Sequence, residues 1–320
     1  QIAEILIVDG LSDDGTREII KNYIKTNNNV QLIDNPDKIV STGFNRALSI
    51  SKGEIIVRVD GHSQLSKDFI KSCITTLDNV DADCVGGPTE HISSGLIGNT
   101  IKIAQSSEFG VGGAEFRKGV INGKYVDTLA FGAYKREVFE KIGGYDEELV
   151  RNQDDEFNFR LIQNGGKIWL DPSIKSFYYP RKSLSKLFKQ YFQYGFYKIR
   201  VMQKRRDFSS WRQIIPLIFV FSLLIFFFNA IAFSLTLPFY LLILTYSSVN
   251  FLAVLFEIVK MVLKNKPRNK PQFSFVIFIF LPLVYFILHF SYGLGSVLGL
   301  IYFWDKWNDI GLKDNKYKRS

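Results

Sequence analysis

Cysteine is nearly absent from this chain. Its 320 residues carry two, Cys73 and Cys84, and no C-x-x-C. That excludes a disulfide framework and a cysteine zinc site, and it makes a reducing compartment the default. A dinucleotide fingerprint is also missing. Gly110-Val-Gly-Gly113 approaches one, but Glu115 stands where the third glycine belongs and no clear strand precedes it, which argues against a Rossmann dehydrogenase. No signal peptide is visible. The chain opens on Gln1 and enters directly into a strand, so the expectation is that an earlier first strand is missing. The formal charge is +9, with the basic residues clustered after residue 180 beside very apolar runs. That distribution suits an anionic membrane surface rather than nucleic acid.

What is present begins with alternating strands and helices. Glu4 to Asp9 reads as a strand ending on an acid, and Gly10 to Gly15 as a turn, with a helix starting at Thr16. Val30 to Ile33 is a short strand, and Ser41 to Ser51 has helical spacing. Glu54 to His62 (E-I-I-V-R-V-D-G-H) reads as a buried parallel strand that stops on Asp60-Gly61-His62. Cys84 to Pro88, Asp127 to Tyr134 and Lys167 to Leu170 read as further strands, with helices over Lys67 to Leu77, Lys135 to Ile142 and Asp154 to Gln163. This order argues for an α/β fold with crossover helices. Residues 92–125 are glycine-rich and give no clear element.

Near residue 180 the composition changes. Leu184, Leu187, Phe188, Tyr191 and Phe192 recur at helical spacing among Lys182, Lys186 and Lys189. Such a helix either lies in a membrane interface or packs on the α/β domain, and both can hold together. Ile214 to Leu237 and Phe239 to Val259 are long enough to cross a hydrocarbon core, which takes ~20 apolar residues. A third run, Phe273 to Phe303, contains Pro282, Gly293, Gly295 and Gly299, and reads as one tilted helix or a broken pair. Lys260, Lys264, Lys266, Arg268 and Lys270 lie between the second and third runs. By the positive-inside rule they are cytoplasmic, and the α/β domain, two crossings earlier, is cytoplasmic with them.

Four acids fall at strand or helix ends: Asp9, Asp13, Asp60 and Asp154. Singly, each reads as a cap or turn residue. Jointly they mark one edge of a sheet, where open α/β sheets bind ligands. Asp81-Ala82-Asp83 precedes its strand and reads as a solvated turn.

The order of six stretches resembles the family 2 glycosyltransferases of GT-A fold, nearest the succinoglycan type of exopolysaccharide synthesis. They are residues 5–16 (I-L-I-V-D-G-L-S-D-D-G-T), 53–62, 85–88 (V-G-G-P), 131–147, 152–161 (N-Q-D-D-E-F-N-F-R-L) and 190–195 (Q-Y-F-Q-Y-G). The resemblance implies a nucleotide-diphospho-sugar transferase domain over 1–180, with a mixed, mostly parallel sheet and helices on both faces. A basic amphipathic interfacial segment over 181–212 follows. A transmembrane region then spans 213–303 (about 214–237, 239–259 and 273–303), and a polar tail covers 304–320. It further implies that Asp154 is the catalytic base, with Asp155 as the fallback. Asp9, Ser12, Asp13, Asn45, Asp60, Arg160 and Gln190 would contact substrate. Asp60 and His62 would hold a divalent metal, Mn²⁺ or Mg²⁺. His62 departs from the second acid of the family's D-x-D; a neutral imidazole can ligate but brings no charge. The Q-x-x-R-W of processive synthases is replaced by Gln190-Tyr-Phe-Gln193, which favours transfer of one sugar.

The implied partners are a nucleotide-diphosphate sugar (UDP-linked first), a lipid-linked glycan acceptor and membrane lipids, with no nucleic acid. The implied enzyme is an inverting, membrane-bound glycosyltransferase of cell-surface glycan synthesis. The alternatives are a processive synthase and an inactive nucleotide-sugar-binding scaffold.

Overall fold

The computed structural model describes residues 4–113, 115–181, 183–207, 211–264 and 275–313. The basic residues Lys182, Lys266, Arg268 and Lys270 lie outside the described residues.

The chain runs β1 (Ile5–Asp9), α1 (Thr16–Ile24), β2 (Val30–Asp34), α2 (Val40–Ile50), β3 (Ile55–Val57), β4 (Ser63–Leu65) and α3 (Phe69–Asn79). Next come β5 (Cys84–Gly86), β6 (Thr89–His91), α4 (Gly95–Ser106), α5 (Glu108–Val111), α6 (Glu115–Lys118), β7 (Lys124–Tyr125) and β8 (Ala133–Lys135). α7 (Arg136–Ile142), α8 (Gln153–Gln163), β9 (Ile168–Leu170) and β10 (Ser176–Tyr178) complete the α/β part. Four long helices follow: α9 (Leu184–Arg205), α10 (Ile215–Phe233), α11 (Leu237–Lys264) and α12 (Phe275–Tyr302).

The fold is the mixed α/β class expected, with three described sheets: β1-β2, β4-β10-β6 and β3-β8-β5-β9-β7. β1 with β2, β10 with β6 and β5 with β9 are parallel, whereas the other four ladders are antiparallel. β3, read as a parallel strand, runs antiparallel to β8. An Ile/Val run reports burial on two faces, not the direction of the neighbour. The glycine-rich stretch that gave no element holds α4, whose Ile101 and Ala104 are fully buried. β1 pairs with β2 and β3 with β8 among the described residues, and the facing edges of β1 and β3 line one cavity.

An aromatic core supports the site. Phe139 and Phe157 stack at 4.9 Å and Phe44 on Tyr145 at 4.2 Å. Phe157 and Leu161 lie one turn apart on α8 and are both buried, as their spacing requires. Burying a side chain of this size stabilises by roughly 1.5–3 kcal/mol, so α8 is fixed by its inner face while its N-terminus stays open.

α9 is sandwiched. Its Leu187, Tyr191 and Ile199 are buried, and α12 covers the face that could have met lipid. The fit is made by glycine on both helices. A Cβ on Gly195 would lie 1.9 Å from the Tyr292 carbonyl oxygen, and one on Gly295 would lie 2.1 Å from that of Phe192. α12 is one continuous helix through Pro282; its glycines are a packing surface, not breaks.

Beyond α12, residues 303–312 fold back on α9 and the 146–148 loop. Gln203 Nε2 donates to the Phe303 carbonyl at 2.7 Å and Arg200 to those of Lys306 and Asp309 at 3.1 and 2.8 Å. Lys204 donates to the Gly311 carbonyl at 3.0 Å. Arg200 also forks onto Glu148 at 2.8 and 3.0 Å. Lys204 pairs with Asp146 at 2.5 Å, and both side chains are fully buried.

Candidate active site

β3 ends at Val57, but Arg58 and Asp60 continue in its direction, and alternate residues of an extended segment share a face. The turn Asp60-Gly61-His62 is closed by Ser63, whose N–H and hydroxyl both donate to the Asp60 carbonyl at 3.0 and 2.6 Å. Arg58 Nε and Nη2 both donate to Asp60 Oδ1, at 3.0 and 2.6 Å. Its Nη1 lies 3.6 Å from Asp154 Oδ2 and 3.5 Å from the Tyr145 hydroxyl. One guanidinium thus bridges the strand-end acid and the helix-start acid. Burial alone would weaken the Arg58 charge, but Tyr145, Asp154 and Asp60 hold it firmly protonated.

Asp154 is the second residue of α8. Asn152 precedes the helix in the left-handed region (φ 62°), which aims the first turn into the cavity. The Asp154 carboxyl is 37% exposed, onto the cavity. Its enclosure pushes the pKa above the ordinary carboxylate value, against the opposing pull of Arg58, while Asp60 and Asp155 push it further up. Asp155, on the same cavity wall, is ion-paired with Lys198 of α9.

His62 faces Tyr178 edge-on at 5.3 Å. Partial burial lowers its pKa; Asp60 opposes this, and Arg181, Arg58 and Arg151 add to it. The imidazole is therefore neutral near pH 7 and keeps a lone pair. Gln190 donates to the hydroxyls of Tyr194 and Tyr178 at 2.9 and 3.3 Å. Its Oε1 is buried and has no partner among the described residues, and the residue lies on the cavity wall.

Arg58, Asp60, His62, Asp154, Asp155 and Gln190 line one cavity of about 2270 Å³. It reaches from the β1 and β3 edges past Asp60, Asp154 and Gln190 to Phe219 of α10, Tyr246 of α11 and His289 of α12. Arg151, Arg181, Lys186 and Lys189 add positive charge to its wall.

Other residues expected at the substrate lie elsewhere. Arg160 does not reach the cavity: it forks onto Glu156 at 2.9 and 3.0 Å and donates to the carbonyls of Ile142 and Gly144. Asn45 is also buried and spent, donating to the Tyr145 carbonyl and Glu147 and accepting from the Tyr145 N–H. Both hold the 142–147 turn under α8. Asp9 accepts from the Ser12 N–H and hydroxyl at 2.9 and 2.6 Å and from Arg17 at 2.8 Å. These bonds organise the loop before α1, and Asp9, Ser12 and Asp13 are outside the cavity wall, where their neighbours Val8 and Gly10 stand. The residue that sequence reasoning missed is Arg58. Its signal was the two-residue spacing from Asp60, which sets both on one face of a strand.

Among the described residues no three His, Cys, Asp or Glu side chains group as a metal cage. A one- or two-ligand site completed by diphosphate oxygens and water needs no such cage. Asp60 fits that case, since both Arg58 bonds fall on Oδ1.

Residues 1–143 match the family described as glycosyl transferase family 2. Succinoglycan biosynthesis protein ExoA of Rhizobium meliloti (strain 1021) is 32% identical over 217 residues, 67% of this chain and 66% of that protein. The dolichyl N-acetyl-alpha-D-glucosaminyl phosphate 3-beta-D-2,3-diacetamido-2,3-dideoxy-beta-D-glucuronosyltransferase of Methanococcus voltae is 28% identical over 306 residues. That match covers 93% of this chain and 87% of the relative. Among solved structures, the crystal structure of GalNAc-T7 with UDP, GalNAc and Mn²⁺ is 15% identical with a TM-score of 0.45. It covers 69% of this chain and 51% of that one. The family match takes in β1 through α7 and with them Arg58, Asp60 and His62, and with the two named relatives it shows that the chain belongs to glycosyl transferase family 2.

Proposed function

We propose that this glycosyltransferase moves one sugar, with inversion, from a nucleotide-diphosphate sugar to a lipid-linked saccharide at a membrane. The observation that carries the reading is the single guanidinium that spans Asp60 and Asp154 across one cavity. An inverting transfer needs one carboxylate to take the acceptor's proton and a cationic surround for the departing diphosphate.

In this reading Asp154 is the base. The acceptor oxygen forms its bond to the anomeric carbon, the bond from that carbon to the diphosphate breaks, and the electron pair leaves with the diphosphate. The acceptor proton passes to the Asp154 carboxylate. Arg58 keeps that carboxylate ionised, and with Arg151 and Arg181 it offers positive charge to the leaving group. Asp60 Oδ2 and the His62 ring would hold a divalent cation. When bound, the cation would neutralise the diphosphate. Gln190, on the cavity wall, would contact the sugar. Asp155, paired to Lys198, would fix the first turn of α8 rather than take a proton. Asp9 and Ser12 would shape the loop at the nucleotide end, next to Asp13.

The lipid-linked acceptor is supported by the apolar end of the cavity at Phe219 and Tyr246. It is also supported by the dolichyl-linked substrate in the name of the Methanococcus relative. The membrane setting is supported by three helices among the described residues that are long and apolar enough to cross a bilayer. A cytoplasmic setting for the α/β domain at the cell membrane is supported by Lys204, Arg205, Arg206 and Arg212 before α10.

The test is donor consumption by membranes containing the full chain, over UDP- and GDP-sugars with Mn²⁺, Mg²⁺ or EDTA and a lipid extract as acceptor. One donor should be consumed, the product should be one sugar longer, and Asp154→Asn should lose about 10²–10⁴ in rate. Full activity in Asp154→Asn would remove Asp154 as the base. A ladder of products would make the enzyme processive. Failure to consume any donor would favour the scaffold.

A further inference from the structure

α12 is 28 residues long, about 40 Å at 1.5 Å per residue; one side follows α4, α5 and α9 in turn, and another meets α11, where Asn250 donates to the Pro282 carbonyl and the Tyr246 hydroxyl lies by His289, each at 3.0 Å. Leu281, Val284 and Leu288 pack with Ile101 and Ala104 of α4. His289 meets α5, with its Nε2 2.7 Å from the Phe109 carbonyl oxygen. Gly295 and Gly299 then close on Phe192 and Phe196 of α9, and Phe303 is bonded to Gln203. A helix that crossed the bilayer would leave the domain within a few turns.

The tail makes the same point by parity. A chain that crosses a membrane an odd number of times after a domain ends on the opposite side from that domain. Residues 303–312 instead bond to Arg200, Gln203 and Lys204 of α9 and help cover the fully buried pair Lys204–Asp146. The number of crossings between α9 and this segment is even.

α10 and α12 present different surfaces. Along α10, Val220 alone is fully buried; its first turns pack on Gly293 of α12 and Tyr246 of α11, and Phe221, Leu224, Phe227, Phe228 and Ile231 are exposed. On α12 the exposed residues Ile279, Leu283 and Phe286 near the start and Leu298 and Ile301 near the end fall on one side, with partly buried residues between them and Ser291 and Ser296 buried on the inner side. One apolar side is what a helix lying in the membrane surface offers to acyl chains. Trp304 and Trp307 stand 73% and 52% exposed just beyond it, in keeping with the enrichment of tryptophan at headgroup level.

We infer that the α10–α11 hairpin alone crosses the membrane, and that α12 lies in the membrane surface as a strap between the lipid and the α/β domain. This rests on the reading of the apolar helices as membrane elements, and is independent of the chemistry assigned to the cavity. The test uses the full chain with single added cysteines and a membrane-impermeant maleimide, in intact bacterial cells and in inverted vesicles. Cys73 and Cys84 are fully buried and give a silent background. Lys25→Cys marks the α/β domain, Thr236→Cys the α10–α11 turn and Asn308→Cys the tail; all three positions are exposed.

The expected result is labelling of Lys25→Cys and Asn308→Cys in inverted vesicles with protection in cells, and the reverse for Thr236→Cys. Asn308→Cys partitioning with Thr236→Cys would overturn the inference and leave three crossings. All three partitioning together would overturn it along with the membrane reading itself. As a second readout, spin labels at Leu283 and Leu298 should report equal, shallow depths. Depths differing by about 20 Å, the length of the intervening helix, would mean that α12 crosses.

Discussion

Two arginines on this chain look alike in sequence and differ in use. Arg58 faces the cavity between two acids, whereas Arg160 is consumed by Glu156 and two carbonyls. Arg58 has a consequence for pH dependence. Activity needs Asp154 as carboxylate, and its pKa lies above the ordinary value, so kcat/KM should rise with pH through that raised pKa and then level off. Arg58→Met removes a group that favours the carboxylate, so the rising limb should move to higher pH as the rate falls; an unmoved limb would separate Arg58 from Asp154.

Asp9 behaves oppositely. Its bond from Ser12, with Arg17 and against the cost of burial, holds its pKa at about 2 instead of 3.8. That depression contributes stability in full above 3.8, which is lost as pH falls towards about 2. Asp9→Asn should flatten this part of an acid-unfolding curve. At this scale the acids were legible because they end strands and helices. Asn45 and Arg160 were misplaced because their partners, in the 142–147 turn, are set by tertiary contact.

Among the elements, α8 and the strand ends were legible from periodicity. The relation of α9 to α12 was not, because an apolar face reads the same whether lipid or protein covers it. The glycines of α12, readable as interruptions, are where two backbones approach. Gly295→Leu would force a side chain against the Phe192 carbonyl. Overpacking of this kind costs roughly 1–3 kcal/mol, so thermal unfolding in detergent should begin at lower temperature. Gly98→Ala is the contrast: a Cβ there meets only ordinary contact, 3.6 Å from Ser93. It should stabilise α4 by roughly 0.5–1 kcal/mol.

For the whole molecule, the buried ion pair of Lys204 and Asp146 joins α9, the loop before α8 and the tail. Breaking it from one side leaves an uncompensated buried charge, at a cost of about 3–5 kcal/mol. Lys204→Met should therefore destabilise strongly, and Lys204→Met combined with Asp146→Leu by clearly less than the two single losses added, as a double-mutant cycle in chemical denaturation would show. Nothing in the sequence paired residues 58 positions apart. The dependence of α9 on α12 also bears on synthesis. Phe275 leaves the ribosome 70 residues after Arg205, several seconds later at about 5–20 residues per second. Through that interval the aromatic side of α9 has no cover of its own, so the nascent enzyme is a client of whatever shields it, and maturation of the catalytic half waits until α12 docks.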